Sequence, residues 1–325
     1  MDKNISYTAI IRTLGKAGQK FQTLLDSLCS QSIQPSAILV FLAEGYEIPN
    51  ETCGKEEYIY VKKGMIAQRA LSYEEVKTEW ILFLDDDLYL PNHFVENLFD
   101  SLYKYKADVI SPDVFDNASR SLSSEILMTL SGRMRARRND NTCGYKVMKT
   151  CGYSYNKKPN TGQAYWSQTN AGACFLCKKT DFLKIHFEDE LWMDKTGYSI
   201  GDDQVMFYKM HLMGLKQLTL FGSEIKHLDA GSNLGNTKKE RKLIEGDYFF
   251  RYVFWHRFIQ GPETNFLKRL WNKICIQYFF SFGLIVSFLK GRKDIMAVKK
   301  KGIQRGYDFV HSEEFRILPP IIKKI

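Results

Sequence analysis

The first hundred residues alternate between short apolar, largely β-branched runs and amphipathic stretches, and this alternation limits the fold more than any other feature. YTAII reads as a strand, QKFQTLLDSLCSQ as a helix, SAILVFLA as a strand and EEYIYV as a third, short strand. GMIAQRALSYEEVK then predicts a helix, and EWILFLDDD a strand that runs into acid. Such alternation predicts an α/β fold with a mostly parallel sheet covered by helices. Ligands of such sheets bind beyond the carboxyl ends of the strands.

Further on, PNHFVENLFDSLYKY predicts a helix opened by Pro91, with Phe94, Leu98 and Leu102 on one face, and ADVISPDVF a strand. From about residue 116 to 168 periodicity fades into a stretch rich in Arg, Asn, Gly, Ser and Tyr, including RMRARR at 133–138. A segment of that length without a period is usually functional. Order returns with NAGACFLCKKTDFLK as strand and helix, GDDQVMFYKMHLMGLK as a helix, and QLTLF and SEIKH as closing strands.

The 325 residues, 44% of them hydrophobic, can bury a large core. Charge is uneven: residues 238–325 hold 19 Lys/Arg against 8 Asp/Glu, whereas the whole chain nets only +9. A near-neutral body with a basic end points to an anionic surface met by that end, with lipid and nucleic acid as the usual choices. No nucleic-acid motif is present, so no nucleic-acid partner is expected. Seven cysteines without regular spacing, and an N-terminus lacking the build of a secretory signal, predict a reducing cytoplasm. Cys174 and Cys177 form a CxxC that Cys143 and Cys151 could extend to a zinc site, but in a strand residues three apart face opposite ways, which favours ordinary buried thiols. Residues 274–289 form an uncharged run of sixteen, shorter than the ~20 needed to span a bilayer. An interfacial segment flanked by Lys, Arg and Trp271, or a buried pair of core helices, would both explain it.

WILFLDDDLYL sets three carboxylates where an apolar strand leaves the sheet, and their repulsion calls for neutralisation. A divalent cation bridging carboxylate and diphosphate oxygens would supply it, and Asp oxygens suit Mg²⁺ or Mn²⁺. Strand alternation puts Asp85 and Asp87 on one face and Asp86 on the other. Asp202 and Asp203 follow Gly201 at a predicted helix start, where one acid could cap the helix but the second is left unexplained.

With TAIIRTLGK, KGMIAQRAL, FLDDD, NAGACFL and GDDQVMFYK in that order, the chain resembles the inverting family-two glycosyltransferases of GT-A fold over about residues 5 to 230. The resemblance implies a Rossmann-like, mostly parallel mixed sheet. It divides the matched part into a nucleotide-sugar half (1–110) and an acceptor half (111–235), and the composition of 236–325 marks a basic, aromatic, helical, membrane-associating extension. It places Arg12, Thr13 and Glu44 near the nucleoside, although Arg12 stands where proline is more usual and AEG at 43–45 replaces an acidic pair. Gly64, Gln68 and Arg69 would line the donor pocket, with Asp85 and Asp86 at the donor. Asp87 and His227 would bind the metal. Asp203 is implied as general base with Asp202 orienting it. Asn170, Gly172 and Trp166 would shape the acceptor site, with Trp192 a further stacking candidate and RMRARR available to grip a diphosphate.

The expected partners are a nucleotide diphosphate sugar, a glycan or lipid-linked saccharide acceptor, and an anionic membrane surface. The expected location is the inner face of the cell membrane, peripherally, in bacterial surface-glycan synthesis such as lipopolysaccharide or capsule. A catalytically inactive GT-A module that only binds nucleotide sugar or glycan is the alternative.

Overall fold

The computed structural model describes residues 5–115, 120–138, 142–198, 200–228, 237–321 and 323–324. The first half runs β1 (Tyr7–Thr13), α1 (Gln19–Cys29), β2 (Ala37–Ala43), β3 (Glu56–Val61), β4 (Trp80–Asp85), β5 (Leu88–Tyr89), α2 (Phe94–Tyr105) and β6 (Val109–Pro112). Then come α3 (Leu122–Leu130), β7 (Met134–Arg137), β8 (Tyr145–Val147), β9 (Tyr153–Asn156), β10 (Ala164–Trp166), β11 (Cys174–Lys178), α4 (Lys179–Leu183) and α5 (Trp192–Lys195). The last third holds α6 (Asp202–Leu212), β12 (Gln217–Leu220), β13 (Lys226–His227), α7 (Thr237–Phe254), a π-helical stretch (Trp255–Gln260), α8 (Phe266–Leu289), α9 (Lys293–Val310) and α10 (Glu313–Arg316).

Eight strands form one sheet in the order β10-β12-β6-β11-β4-β1-β2-β3, with β1, β2, β3 and β4 mutually parallel and β11 antiparallel between β6 and β4. The mixed, mostly parallel sheet matches expectation. Side chains alternate between its two faces. Tyr7, Ala9, Ile11, Leu82 and Leu84 pack with α1 and α2 on one face. Ile10, Ile81, Phe83 and Phe175 pack on the other with α6 and with Phe249, Phe254, Phe258, Phe279 and Val310 of the last third. The first two stretches divided in the sequence therefore share one sheet, and the helical third packs on one of its faces. Cys174 lies on the first face and Cys177 on the second, as the strand period requires.

Two expected features differ. Residues 64–77 form a single helical turn rather than a helix: Gln68 and Ala70 donate back to Gly64 and Ile66, and the turn is over by Tyr73, whose φ is 55°. Ile66, Ala67, Gln68 and Arg69 are buried in succession, which no one-sided helix allows. The stretch 116–168, which lacks a period, contains α3, a three-stranded sheet of order β7-β9-β8, and β10, all too short to show periodicity. RMRARR is structural here. Arg133 binds Asp247, Arg137 donates to the carbonyls of Cys143 and Gly144, and Arg138 pairs with Glu125.

Glu190, fully buried, ties the last third to the sheet domain. It accepts from Arg257 in the π-helical stretch, from Lys209 of α6 at 3.1 Å and from the Trp192 indole at 2.8 Å. Burial alone would raise its pKa, but Lys209 and Arg257 reverse this and hold it below the usual range. Trp192 is thus a core residue and not a sugar platform. Glu190→Gln keeps the volume but leaves two buried cations facing an amide, and should cost about 2–3 kcal/mol in urea unfolding.

Candidate active site

Register builds the site. Arg12 lies opposite Asp85 in the β1–β4 ladder, on the same face as Ile10 and Phe83, so the two side chains meet as β1 and β4 end. Arg12 Nε donates to Asp85 Oδ1 at 2.5 Å and Nη2 to Oδ2 at 3.2 Å. Burial would raise the Asp85 carboxyl, yet Arg12 and Arg69 hold it below the usual range. Two arginines, not an ion alone, therefore answer the repulsion expected of this acid.

After Asp85 the chain turns, so the alternation argued for the triplet stops there. All three acids line one open cleft of about 380 Å³ together with Arg12, Thr13, Lys16, Gln68 and His227. Asp86 is not turned elsewhere: it accepts from the Thr13 hydroxyl, which in turn accepts from Gly15 N at 2.8 Å. Burial, reinforced by Asp87 and Asp85, pushes its carboxyl up to about 6. The antiparallel pair β5–β13 sets His227 opposite Leu88, and Leu228 N donates to Asp87 O. His227 Nε2 comes to rest 3.0 Å from Asp87 Oδ1.

Asp202 and Asp203 open α6 but neither caps it. Both turn to Arg69, whose Nη1 lies 2.6 Å from Asp202 Oδ2 and 2.9 Å from Asp203 Oδ1, while Nη2 donates to Gly172 O at 2.6 Å. Arg69 also stands 3.6 Å from Asp85, and Arg12 3.6 Å from Asp202. The guanidinium is almost fully buried, so it works as the hub joining the two acidic motifs rather than as an exposed wall of the donor pocket. Asp203 is the accessible acid of its pair, 37% exposed against 13% for Asp202. Burial and the neighbouring Asp203 raise the Asp202 carboxyl above the ordinary range. A Cβ on Gly172 would fall 2.0 Å from Asp203 Oδ1, so only glycine leaves room for that carboxylate.

Gln68 lines the cleft and also braces β1 and β2, its amide donating to Thr13 O and Phe41 O. Other expected residues fall elsewhere. Gly64 faces Asp194, whose carboxylate accepts from Ile66 N and Ala67 N at 2.9 Å, and a Cβ there would meet that carboxylate at 2.2 Å. Glu44 is exposed beyond β2 and does not line the cleft. Asn170 is buried and bound by the Thr219 hydroxyl, while its amide nitrogen has no partner. Trp166 is not brought to the site: β10 runs antiparallel to β12 and carries it to the opposite end of the sheet, to a separate pocket with His211 and Gln168. Two residues went unforeseen. Lys16, a cation at the cleft with its Nζ 4.7 Å from the Tyr46 ring centre, ends the quoted TAIIRTLGK run; Asp194 carries no sequence signal.

Among the described residues no group of three or more His, Cys, Asp or Glu is arranged to hold a metal. Asp87 and His227 nonetheless offer an oxygen and a nitrogen donor beside Asp86, a set that would suit a divalent ion such as Mn²⁺.

No curated protein matches the chain. The model of Glycosyl transferase family 2 matches residues 57–182, which include the acidic triplet, Arg69 and Gly172 but end before Asp202, Asp203 and His227. Among solved structures, the chain is similar to that titled "Crystal structure of GalNAc-T7 with UDP, GalNAc and Mn2+", at 11% identity and a TM-score of 0.50. The likeness covers 86% of this chain but spans only 57% of that one. The chain thus carries, over residues 57–182, a segment that matches glycosyl transferase family 2, and its sheet architecture is that of the GT-A fold.

Proposed function

We propose that the chain is an inverting glycosyltransferase that moves a sugar from a nucleotide diphosphate donor to a glycan or lipid-linked saccharide. The observation that carries this is the convergence of β1, the triplet at the end of β4 and β13 on one cleft, with the head of α6 tied to them by the ion pairs of Arg69 and Arg12. The solved neighbour, by its title, holds UDP, GalNAc and Mn²⁺. Asp87 and His227 would hold Mn²⁺ or Mg²⁺, which supplies charge neutralisation at the departing diphosphate. Lys16 adds a cation on the same wall. Asp203 takes the acceptor hydroxyl's proton as its oxygen attacks the anomeric carbon and the bond to the diphosphate breaks. Asp202 and Arg69 hold Asp203 in place. The basic, apolar last third supports a peripheral station on an anionic membrane, and a surface-glycan acceptor such as lipopolysaccharide or capsule fits that station.

The test is calorimetry of nucleoside diphosphates with and without Mn²⁺, followed by a panel of nucleotide sugars. Mn²⁺ should tighten nucleotide binding, and Asp87→Ala should remove that gain. Asp86 lies above its ordinary value in the absence of metal, so a cation beside it favours the ionised form. Mn²⁺ binding should therefore release a proton near pH 6 and weaken as pH falls below it. Nucleotide affinity that ignores Mn²⁺ and Asp87→Ala alike would refute the metal assignment. Nucleotide binding with no product from any donor would point to a binding module instead.

A further inference from the structure

Helix α3 is built inside out. Its one buried residue is Glu125, held by Arg138 and Lys157, while Leu122, Ile126, Leu127 and Leu130 face outward, Leu122 being 64% exposed. A helix that buries its charge and exposes its apolar stripe has turned that stripe toward something other than water. Helix α8 buries an apolar stripe of its own and yet exposes a second, larger one. Asn272, Ile276, Phe279 and Phe280 pack inward, whereas Leu267, Trp271, Ile274, Tyr278 and Ile285 point out. The two stripes are neighbours, because the Tyr278 hydroxyl donates to Leu130 O at 2.5 Å.

We propose that α3 and α8 together form one seat by which the protein lies flat on a bilayer of anionic lipid; this rests on the peripheral-membrane reading above and names its surface. Among the described residues α8 is the one helix long and apolar enough to cross a membrane, but between Asn272 and Ser287 its inner side packs on the protein, which sets it in the interface. It contains no acid, and exposed cations bracket it: Lys268, Arg269 and Lys273 at one end, Lys290, Arg292 and Lys293 at the other. This suits anionic headgroups, with Trp271 and Tyr278 at the depth aromatic side chains favour. A second copy of the chain is the poorer occupant, since antiparallel two-fold pairing of α8 would oppose these cation clusters. The seat is also on the acceptor side. Gly132, just past α3, accepts from the Thr150 hydroxyl, and Cys151 O accepts from Gln204, the residue after Asp203.

The full chain is mixed with vesicles of phosphatidylcholine alone or with a minority of phosphatidylglycerol, and bound protein is read by flotation. Two double variants are compared, Ile126→Ser with Leu127→Ser on α3, and Trp271→Ser with Ile274→Ser on α8. All four residues are exposed, so folding, checked by circular dichroism, should hold. The wild type should float with the anionic vesicles, and each pair should lower partition by about tenfold or more. Loss with the α8 pair alone would overturn the joint seat while leaving a peripheral enzyme. No flotation by the wild type would overturn the membrane reading itself. A dimer broken by the same substitutions, without vesicle binding, would assign the face to a second copy. Donor turnover on a soluble acceptor is independent of all these outcomes and separately reports whether the chain is a transferase.

Discussion

Asp203→Asn is expected to lower kcat by about 10²–10⁴-fold while nucleoside diphosphate and Mn²⁺ affinity stay at the wild-type level. The isosteric amide fits the space beside Gly172 and can still face Arg69, so the fold should tolerate it, but it cannot take a proton. Asp202→Asn makes the informative control. Asp202 is the more buried acid, enclosed by Arg69 and Arg12, and its loss should disturb stability more than the chemical step. Single-turnover assays with saturating donor separate the two. If Asp202→Asn abolishes transfer and Asp203→Asn does not, the base has been assigned to the wrong carboxylate.

Arg69→Met should destabilise the protein by about 3–5 kcal/mol, because it leaves Asp202 and Asp203 side by side with no hub between them. Arg69 is almost completely buried, so water cannot take over its task. The sign of the pH dependence gives a second check. Asp202 already sits above its ordinary value, and without Arg69 it should rise further, so the variant's penalty should shrink as pH falls and that carboxyl takes up a proton. Urea unfolding at neutral and mildly acidic pH measures it. Arg69→Lys restores charge but not the fork that reaches Asp202, Asp203 and Gly172 O at once, and should recover only part of the loss. A penalty that does not change with pH would mean that packing, not charge, makes Arg69 necessary.

Much of this was legible from strand period and motif order. The alternation of β1 and β4 predicted the sheet, and the acidic triplet marked the strand end at which the cleft opens. Alternation failed one residue later because it holds only while the chain stays extended, and after Asp85 it turns. The pairing of Arg12 with Asp85 was in principle readable from register, but register between strands separated by 73 positions requires knowing that β1 and β4 are neighbours. The misread turn at 64–70 shows the same limit: what shapes it is Asp194, 128 positions away from Ile66. Helix α3 went unread because nine residues are too few to establish a period, and a period does not say which way the apolar stripe faces.

The core beneath β4 and β11 is closed from one side by α6 and the last third of the chain, where Phe249, Phe254, Phe258 and Phe279 join Phe83 and Phe175 in one cluster. The segment that carries the family signature is therefore not a module that could be cut out and moved. Ending the chain after His227 would expose the part of this cluster that Phe249, Phe254, Phe258 and Phe279 now cover and release Glu190 from Arg257. The sheet and the basic last third are therefore to be expressed and engineered as one unit.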